Sequence, residues 1–182
     1  MKNICVEERD SGTDNLGIGY TNTTVSWGTD LQLILVNYYD DYKFLASLGS
    51  TESTSLAYLA KSGYGTRSDY ADGLQTGTRS YLLDGSGKYT ASAMYYDQKG
   101  RLVQHHSSNV RGGYDKEYYA YSFTGKPLRH HYYHYGSNGG STSDREYVYS
   151  YDDAERLTEV RCSLNGGTQS VLYSNGYDGY GR

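Results

Sequence analysis

The chain reads as all-β, a run of consecutive antiparallel hairpins forming a meander or ribbon, and three observations predict it. Turn chemistry recurs about every thirteen residues from Tyr81 onward, and the segments between turns alternate in side-chain character. Composition is dominated by 24 tyrosines and 23 glycines, with a single proline, in 182 residues. Regular short strands bounded by turn signals are the all-β pattern. Apolar residues reach 36% only because tyrosine is counted among them. So thin an aliphatic core approaches the composition of disordered chains. Tyrosine argues the other way, because it favours pleated, half-buried strands and joins a large apolar ring to a polar tip.

Residues 1–30 are rich in Gly, Ser, Thr and Asp and are expected to be an irregular N-terminal segment. The hairpin domain is expected over 31–182, with its clearest repeats over 81–182. Leu31 to Tyr39 reads as a strand, and Tyr39-Asp40-Asp41-Tyr42-Lys43-Phe44-Leu45 as a degenerate tyrosine turn. Ser53 to Lys61 is expected to hold a short helix, and 62–78 loops or irregular strands. Candidate turns then begin near Asp84, Asp97, Asn109, Ser122, Asn138, Asp152, Asn165 and Asp178. Removing about four residues per turn leaves strands of roughly nine, at the long end of the common range.

The turns alternate in kind. Those at 97, 122, 152 and 178 follow a tyrosine; those at 84, 109, 138 and 165 are richer in glycine. In an up-and-down meander, alternate turns fall on the same edge, so each kind is expected to line its own edge. The tyrosine turns also repeat in sequence, as Tyr96-Asp97-Gln98-Lys99-Gly100-Arg101, Tyr151-Asp152-Asp153-Ala154-Glu155-Arg156 and Tyr177-Asp178-Gly179-Tyr180-Gly181-Arg182. Tyr121-Ser122-Phe123-Thr124-Gly125-Lys126 is a looser copy, and the four starting tyrosines stand 25, 30 and 26 residues apart. Self-similarity at such a period signals a repeat architecture. In each turn the aspartate can accept hydrogen bonds from backbone amides two residues on. Glycine at the fourth position suits a type I turn ending in a left-handed bulge residue. Glu155 stands where that glycine is expected; a forced left-handed conformation costs about 1–2 kcal/mol. Its hairpin is therefore expected to be looser or to close with a different turn.

Between turns the alternation places Tyr89, Ala91, Ala93 and Tyr95 on one face. Tyr119, Tyr121 and Phe123 share a face, as do Tyr147, Tyr149 and Tyr151. Thr158, Val160, Cys162 and Leu164 lie opposite Glu159, Arg161 and Ser163. Aromatic cross-strand pairs contribute about 0.2–1 kcal/mol each over alanine pairs, so tyrosine rows can replace much of an aliphatic core.

Composition also excludes function classes. A formal net charge of −4 gives no basic footprint for nucleic acid. No run of 18 apolar residues exists to span a membrane, the strongest being Leu31-Gln32-Leu33-Ile34-Leu35-Val36. Met1-Lys2-Asn3 leads into Cys5 and Glu7-Glu8, so no signal peptide is visible. Cys5 and Cys162 lie at opposite ends and read as two separate thiols rather than a disulfide, with no Cys-x-x-Cys spacing for zinc. The last copy stops at Arg182, where the copies at Tyr96 and Tyr151 continue into Leu102 and Leu157. The chain is thus expected to be a piece of a longer one.

With these residues in view, the chain resembles the bacterial Rhs (YD-repeat) family. The matching motifs are Tyr96-Asp97-x-x-Gly100-Arg101-Leu102-Val103, Tyr151-Asp152-x-x-x-Arg156-Leu157 and Tyr177-Asp178-x-x-Gly181-Arg182, with Tyr118 to Arg129 a divergent copy. They cover 96 to 182 closely and 31 to 95 more loosely. The resemblance implies a segment of a large cell-surface, secreted or polymorphic-toxin protein, whose repeats wind a β-ribbon into a spiral that sometimes encloses a C-terminal toxin. It also implies that the partners are the remainder of a parent chain, a toxin module or glycans. The family's Asp-Pro-x-Gly-Leu core signature and the toxin that follows it are missing from this sequence, so no toxin activity attaches to these residues.

His105-His106 and His130-His131-x-x-His134 cluster, but strand alternation sends His130 and His134 one way and His131 the other. A metal would need a third ligand such as His106, so exposed polar sheet positions are favoured and no metal or cofactor is expected. The acid pairs Asp40-Asp41 and Asp152-Asp153 could suggest glycoside hydrolysis, but both fall in proposed turns. No Gly-x-Ser-x-Gly elbow occurs, and Gly136 to Gly140 lacks the lysine and helix of a phosphate loop. The expectation is no enzyme. For carbohydrate, Tyr132, Tyr133 and Tyr135 with the neighbouring histidines form one candidate patch, and Trp27 another. Asn22-Thr23-Thr24 fits a glycosylation sequon, a weak match. The expected function is a structural wall, with a carbohydrate-binding or adhesive module as the alternative. Open strand edges are expected to invite self-association.

Overall fold

Alternating strand segments broken by tight Asp/Asn and Gly turns favour pairing with their sequence neighbours, and that is the topology observed. The computed structural model describes residues 17–20, 33–137 and 141–179. The strands are β1 (Leu35–Asp40), β2 (Ala71–Tyr81), β3 (Tyr89–Tyr96), β4 (Leu102–Ser108), β5 (Tyr114–Tyr121), β6 (Pro127–Tyr135), β7 (Ser141–Tyr151), β8 (Leu157–Leu164) and β9 (Ser170–Ser174). They form one nine-stranded sheet in the order β1 to β9, each strand antiparallel to the next. The all-β hairpin meander read from the sequence is the observed fold. The turns after β3, β5 and β7, each led by a tyrosine, lie on one edge of the ribbon, and the glycine-rich turns lie on the other.

The connection from β1 to β2 departs from expectation. No hairpin forms at Tyr39 to Leu45. Asp40 takes φ 71°, the Asp41 amide donates to the Tyr39 carbonyl (2.8 Å), and the Lys43 amide donates to Asp41 Oδ1 (2.8 Å). The chain then enters a 3₁₀ turn, Lys43–Ser47, and a helix α1 (Ser50–Leu56). The helix begins and ends earlier than the expected 53–61. Past Leu56 the backbone is claimed by the sheet: the Gln104 carboxamide accepts from the Leu59 amide (3.3 Å) and donates to its carbonyl (2.8 Å). Residues 57–70 therefore form an extended strap rather than more helix. Residues 71–78, expected as loops or irregular strands, form the irregular first part of β2, where the pairing register with β1 shifts twice and Gly73 takes φ 75°.

The core lies on one face of the sheet, under the 3₁₀ turn, α1 and the strap. It comprises Ile18, Val36, Tyr38, Phe44, Leu48, Leu56, Ala91, Ala93, Tyr95 and Val103. Ala91, Ala93 and Tyr95 share this covered face as the alternation requires. Small residues there let rings approach: Phe44 stacks on Tyr38 (4.3 Å) and Tyr42 on Tyr95 (4.7 Å). Tyr95 donates its hydroxyl to the Leu56 carbonyl (2.7 Å), so a large ring fills the core while its polar tip closes the helix end. Among the described residues β9 is exposed along its whole length. No helix among them is long and apolar enough to cross a membrane.

Candidate functional site: the repeat lock and the loop cleft

Three tyrosine turns among the described residues share one backbone geometry. The Asp97 amide donates to the Arg101 carbonyl (2.9 Å) and the Gly100 amide to the Asp97 carbonyl (3.0 Å). The same pair of bonds closes Ser122 to Lys126 (2.8 and 3.1 Å) and Asp152 to Arg156 (3.0 and 2.9 Å). Asp97 Oδ1 accepts from the Lys99 and Arg101 amides, and Asp152 Oδ1 from those of Ala154 and Arg156. Gly100, Gly125 and Glu155 all have positive φ, 71°, 94° and 60°. The expectation of a different turn at Glu155 is thereby corrected. Asp152 holds both the turn amides and the Arg156 Nε (2.7 Å), which keeps the glutamate in the left-handed region. After each turn the returning strand carries one extra residue, Val103, Leu128 or Thr158, where the pairing register shifts. At the first of these the bulge helps turn Val103 into the core, where it is fully buried.

Each turn also grips the next. Tyr121 donates its hydroxyl to the Leu102 carbonyl (2.9 Å), Tyr151 to that of Pro127 (2.8 Å) and Tyr177 to that of Leu157 (2.8 Å). In every case the acceptor is the first strand residue after the preceding turn. Arg101 lies over the Tyr121 ring (5.0 Å) and donates to the Ser122 carbonyl (2.9 Å), while Arg156 lies over the Tyr177 ring (4.4 Å). Asp97 and Asp152 fix these guanidiniums from within their own turns, each through an Nε contact of 2.7 Å. Turn aspartate, turn arginine and the following turn's tyrosine therefore form one unit. The periodic Tyr, Asp and Arg were visible in sequence; the grip between successive copies was not.

The two faces of β4 to β7 carry different chemistry. On the covered face the Lys61 ammonium donates to the Tyr133 hydroxyl (2.9 Å) and lies 5.1 to 5.4 Å from the rings of Tyr64, Tyr118 and Tyr133. Tyr64 donates to Glu146 (2.6 Å), and His131 pairs with Asp144. On the open face Glu117 accepts from Tyr119 (2.5 Å) and meets His130 (2.9 Å) and His105 (3.3 Å). Hydrogen bonds from His105 and His130 hold the Glu117 carboxyl well below the usual carboxylate range. Asp115 meets Tyr132 (2.9 Å) and His134 (2.6 Å).

These pairings relocate the residues read from sequence. Tyr132 belongs to the open face and Tyr133 to the covered one, so Tyr132, Tyr133 and Tyr135 do not make one patch. Tyr133 and Tyr135 pack in a stacked row with His131 (4.2 and 6.0 Å). The histidines are not freely exposed polar positions: His106 and His131 are buried, and His105, His130 and His134 each face a carboxylate. His106 lies on the face opposite His130 and His134, and no group of three His, Cys, Asp or Glu among the described residues could hold a metal. Asp40 accepts from the Gly73 amide (2.7 Å), Asp41 from Lys43 and Asp152 from its own turn, so these acids serve the backbone. Phe123 leaves the row expected for it and sits exposed in its turn, beneath Lys99 (4.2 Å). Cys162 is a free thiol. Trp27, Cys5, the sequon at Asn22, the Asn138 turn, Gly181 and Arg182 lie outside the described residues.

A cleft missed by the sequence reading opens on the glycine-turn edge. It is a cavity of about 740 Å³ between α1, the 82–88 loop and the 109–113 loop. Glu52, Lys88, Tyr89, Arg111 and Tyr114 line it. Its one sequence signal is the tyrosine that closes the two glycine loops around it, Gly87-Lys88-Tyr89 and Gly112-Gly113-Tyr114. Gly113 has no room for a side chain, since a Cβ there would meet the Tyr135 carbonyl at 2.1 Å. Compared with protein-family models and with curated proteins, the chain matches none.

Proposed function

We propose that the chain is a non-enzymatic structural segment, a length of β-ribbon wall within a larger Rhs-like surface or secreted protein. The observation that supports this reading is the lock between successive turns. A unit completed only by its neighbour's tyrosine suits an architecture built for length, in which each repeat contacts the next. The partners in this reading are the rest of the parent chain and, in a toxin-bearing parent, the enclosed module.

The test is to lengthen the wall. Insertion of a second copy of residues 122–151 after Tyr151 adds one hairpin, and two strands spaced at about 4.8 Å should extend the particle by roughly 10 Å in small-angle scattering. Cooperative unfolding should persist. An insert that stays disordered, or that unfolds the parent sheet, would count against the wall.

A second reading, a carbohydrate-binding module, is favoured by the cleft walled by Tyr89 and Tyr114. A glycan array separates the two, since a wall alone shows no saturable, competable sugar binding. Binding that survives Tyr132→Ala combined with Tyr133→Ala would exclude the patch first read on β6.

A further inference from the structure

We propose that the cleft between α1 and the two glycine-rich loops binds an acidic saccharide, a uronate-bearing sugar held by one ring face and by its carboxylate. The proposal rests on the carbohydrate reading and deepens it.

The walls are already in place. Tyr89 packs against Tyr81 (5.4 Å) with the Arg79 guanidinium over its ring (4.6 Å). Tyr114 is stacked on Tyr135 (4.5 Å). Arg79 is itself buried and tied to the carbonyls of Gly17 (2.8 Å) and Ser47 (3.0 Å), so the Tyr89 wall is anchored in the core. Two fixed rings and a cavity of about 740 Å³ match a small-ligand site, because little ordering is needed on binding.

Polar groups of two kinds converge there. Glu52 on α1 accepts the Ser108 hydroxyl (3.1 Å) and is also hydrogen-bonded by the Tyr89 hydroxyl, and a carboxylate's remaining lone pairs can take a further donor such as a sugar hydroxyl. Thr51 and Ser55 add hydroxyls on the same helix side. Lys88 and Arg111 stand on the rim, one on each loop. Arg111 makes no salt bridge among the described residues, and Lys88, which lies within the field of Asp84 on its own loop, makes none at contact distance. A guanidinium without a salt bridge and a second cation beside an aromatic slot favour an anion, and a guanidinium can take a carboxylate bidentately. A simple anion would leave the tyrosine walls and the hydroxyl side unused. A neutral sugar would leave the cations unused. An acidic sugar uses both.

Calorimetry and saturation-transfer NMR on the whole chain would use a glucuronate-containing disaccharide, its carboxyl-reduced counterpart, and acetate. The uronate disaccharide should bind saturably and more weakly at raised salt. Carboxyl reduction and Arg111→Ala should each weaken it about tenfold, the size of one charge-assisted hydrogen bond. Arg111 is exposed in its turn, so that variant should keep the parent's thermal midpoint; Glu52→Gln gives an independent second reduction in affinity. Equal binding of the reduced sugar would overturn the acidic assignment and leave the carbohydrate reading standing. Acetate competing as well as the disaccharide would reduce the site to an anion contact and overturn the proposal. Binding indifferent to both variants would overturn the location. No binding of either sugar at millimolar concentration would overturn the proposal and the carbohydrate reading together.

Discussion

Arg101 stacks its guanidinium 5.0 Å over the ring of Tyr121, the tyrosine that opens the following turn, while Asp97 holds the same guanidinium through Nε at 2.7 Å. The contact joins two turns that are separate in sequence, and it recurs between Arg156 and Tyr177 at 4.4 Å. Arg101→Ala should cost about 1–2 kcal/mol, combining a partly exposed cation–ring contact with a lost hydrogen bond. Arg101→Lys should recover only part of this, because an ammonium lacks the planar fork that reaches Asp97 and Ser122 together. Urea denaturation of both variants, with Tyr121→Ala in a double-mutant cycle, measures the coupling. Strict additivity of Arg101→Ala and Tyr121→Ala would show that the lock carries no energy.

Glu155 sits at φ 60° in a turn whose counterparts at this position are Gly100 and Gly125. Glu155→Gly should therefore stabilise the chain by about 1 kcal/mol, the left-handed penalty less glycine's larger unfolded-state entropy. The thermal midpoint should rise while the turn's bonds to Asp152 persist. A neutral or lowered midpoint would mean that Glu155 makes a compensating contact.

His106 is fully buried, with Nε2 lacking a partner and Nδ1 near the Leu56 carbonyl (3.3 Å). Burial first, and the Lys116 charge second, lower its pKa to about 4. The folded value lies below the unfolded value of about 6.5, so the unfolded chain takes up this proton first as pH falls. The stabilising effect of the neutral ring is complete above about pH 6.5 and is lost progressively toward pH 4, up to about 3 kcal/mol. Denaturation midpoints at neutral pH and near pH 4.5 should converge in His106→Leu relative to the parent. An identical acid loss in both chains would assign the sensitivity elsewhere.

Gly77 in β2 faces Phe44, and a Cβ there would meet Phe44 Cζ at 2.2 Å and the Ser92 carbonyl at 2.7 Å. Gly77→Ala should destabilise by about 1–3 kcal/mol through overpacking. Phe44→Leu in the same chain should restore part of that loss, even though Phe44→Leu alone weakens the core. No rescue would place the damage at the Ser92 backbone instead.

The hairpin architecture was legible because its signals are local. A turn's geometry depends on four or five adjacent residues, and strand alternation depends on a period of two, so the meander and the paired edges could be read without tertiary information. The turn at Glu155 shows the limit of that reading. Its propensity argued for another conformation, and Asp152 with Arg156 overrode it.

Periodic Tyr-Asp-Arg spacing, strand faces and the division of turns into two edges were determined by sequence alone. Tertiary structure decided the rest. Which face of the sheet is covered, where His106 lies relative to His130, and which loops meet α1 all depend on pairing across strands and on the strap from 57 to 70. Those contacts join residues far apart in the chain. Their energies come from burial and hydrogen bonding that exist only once the sheet has formed, so local pattern carries no record of them.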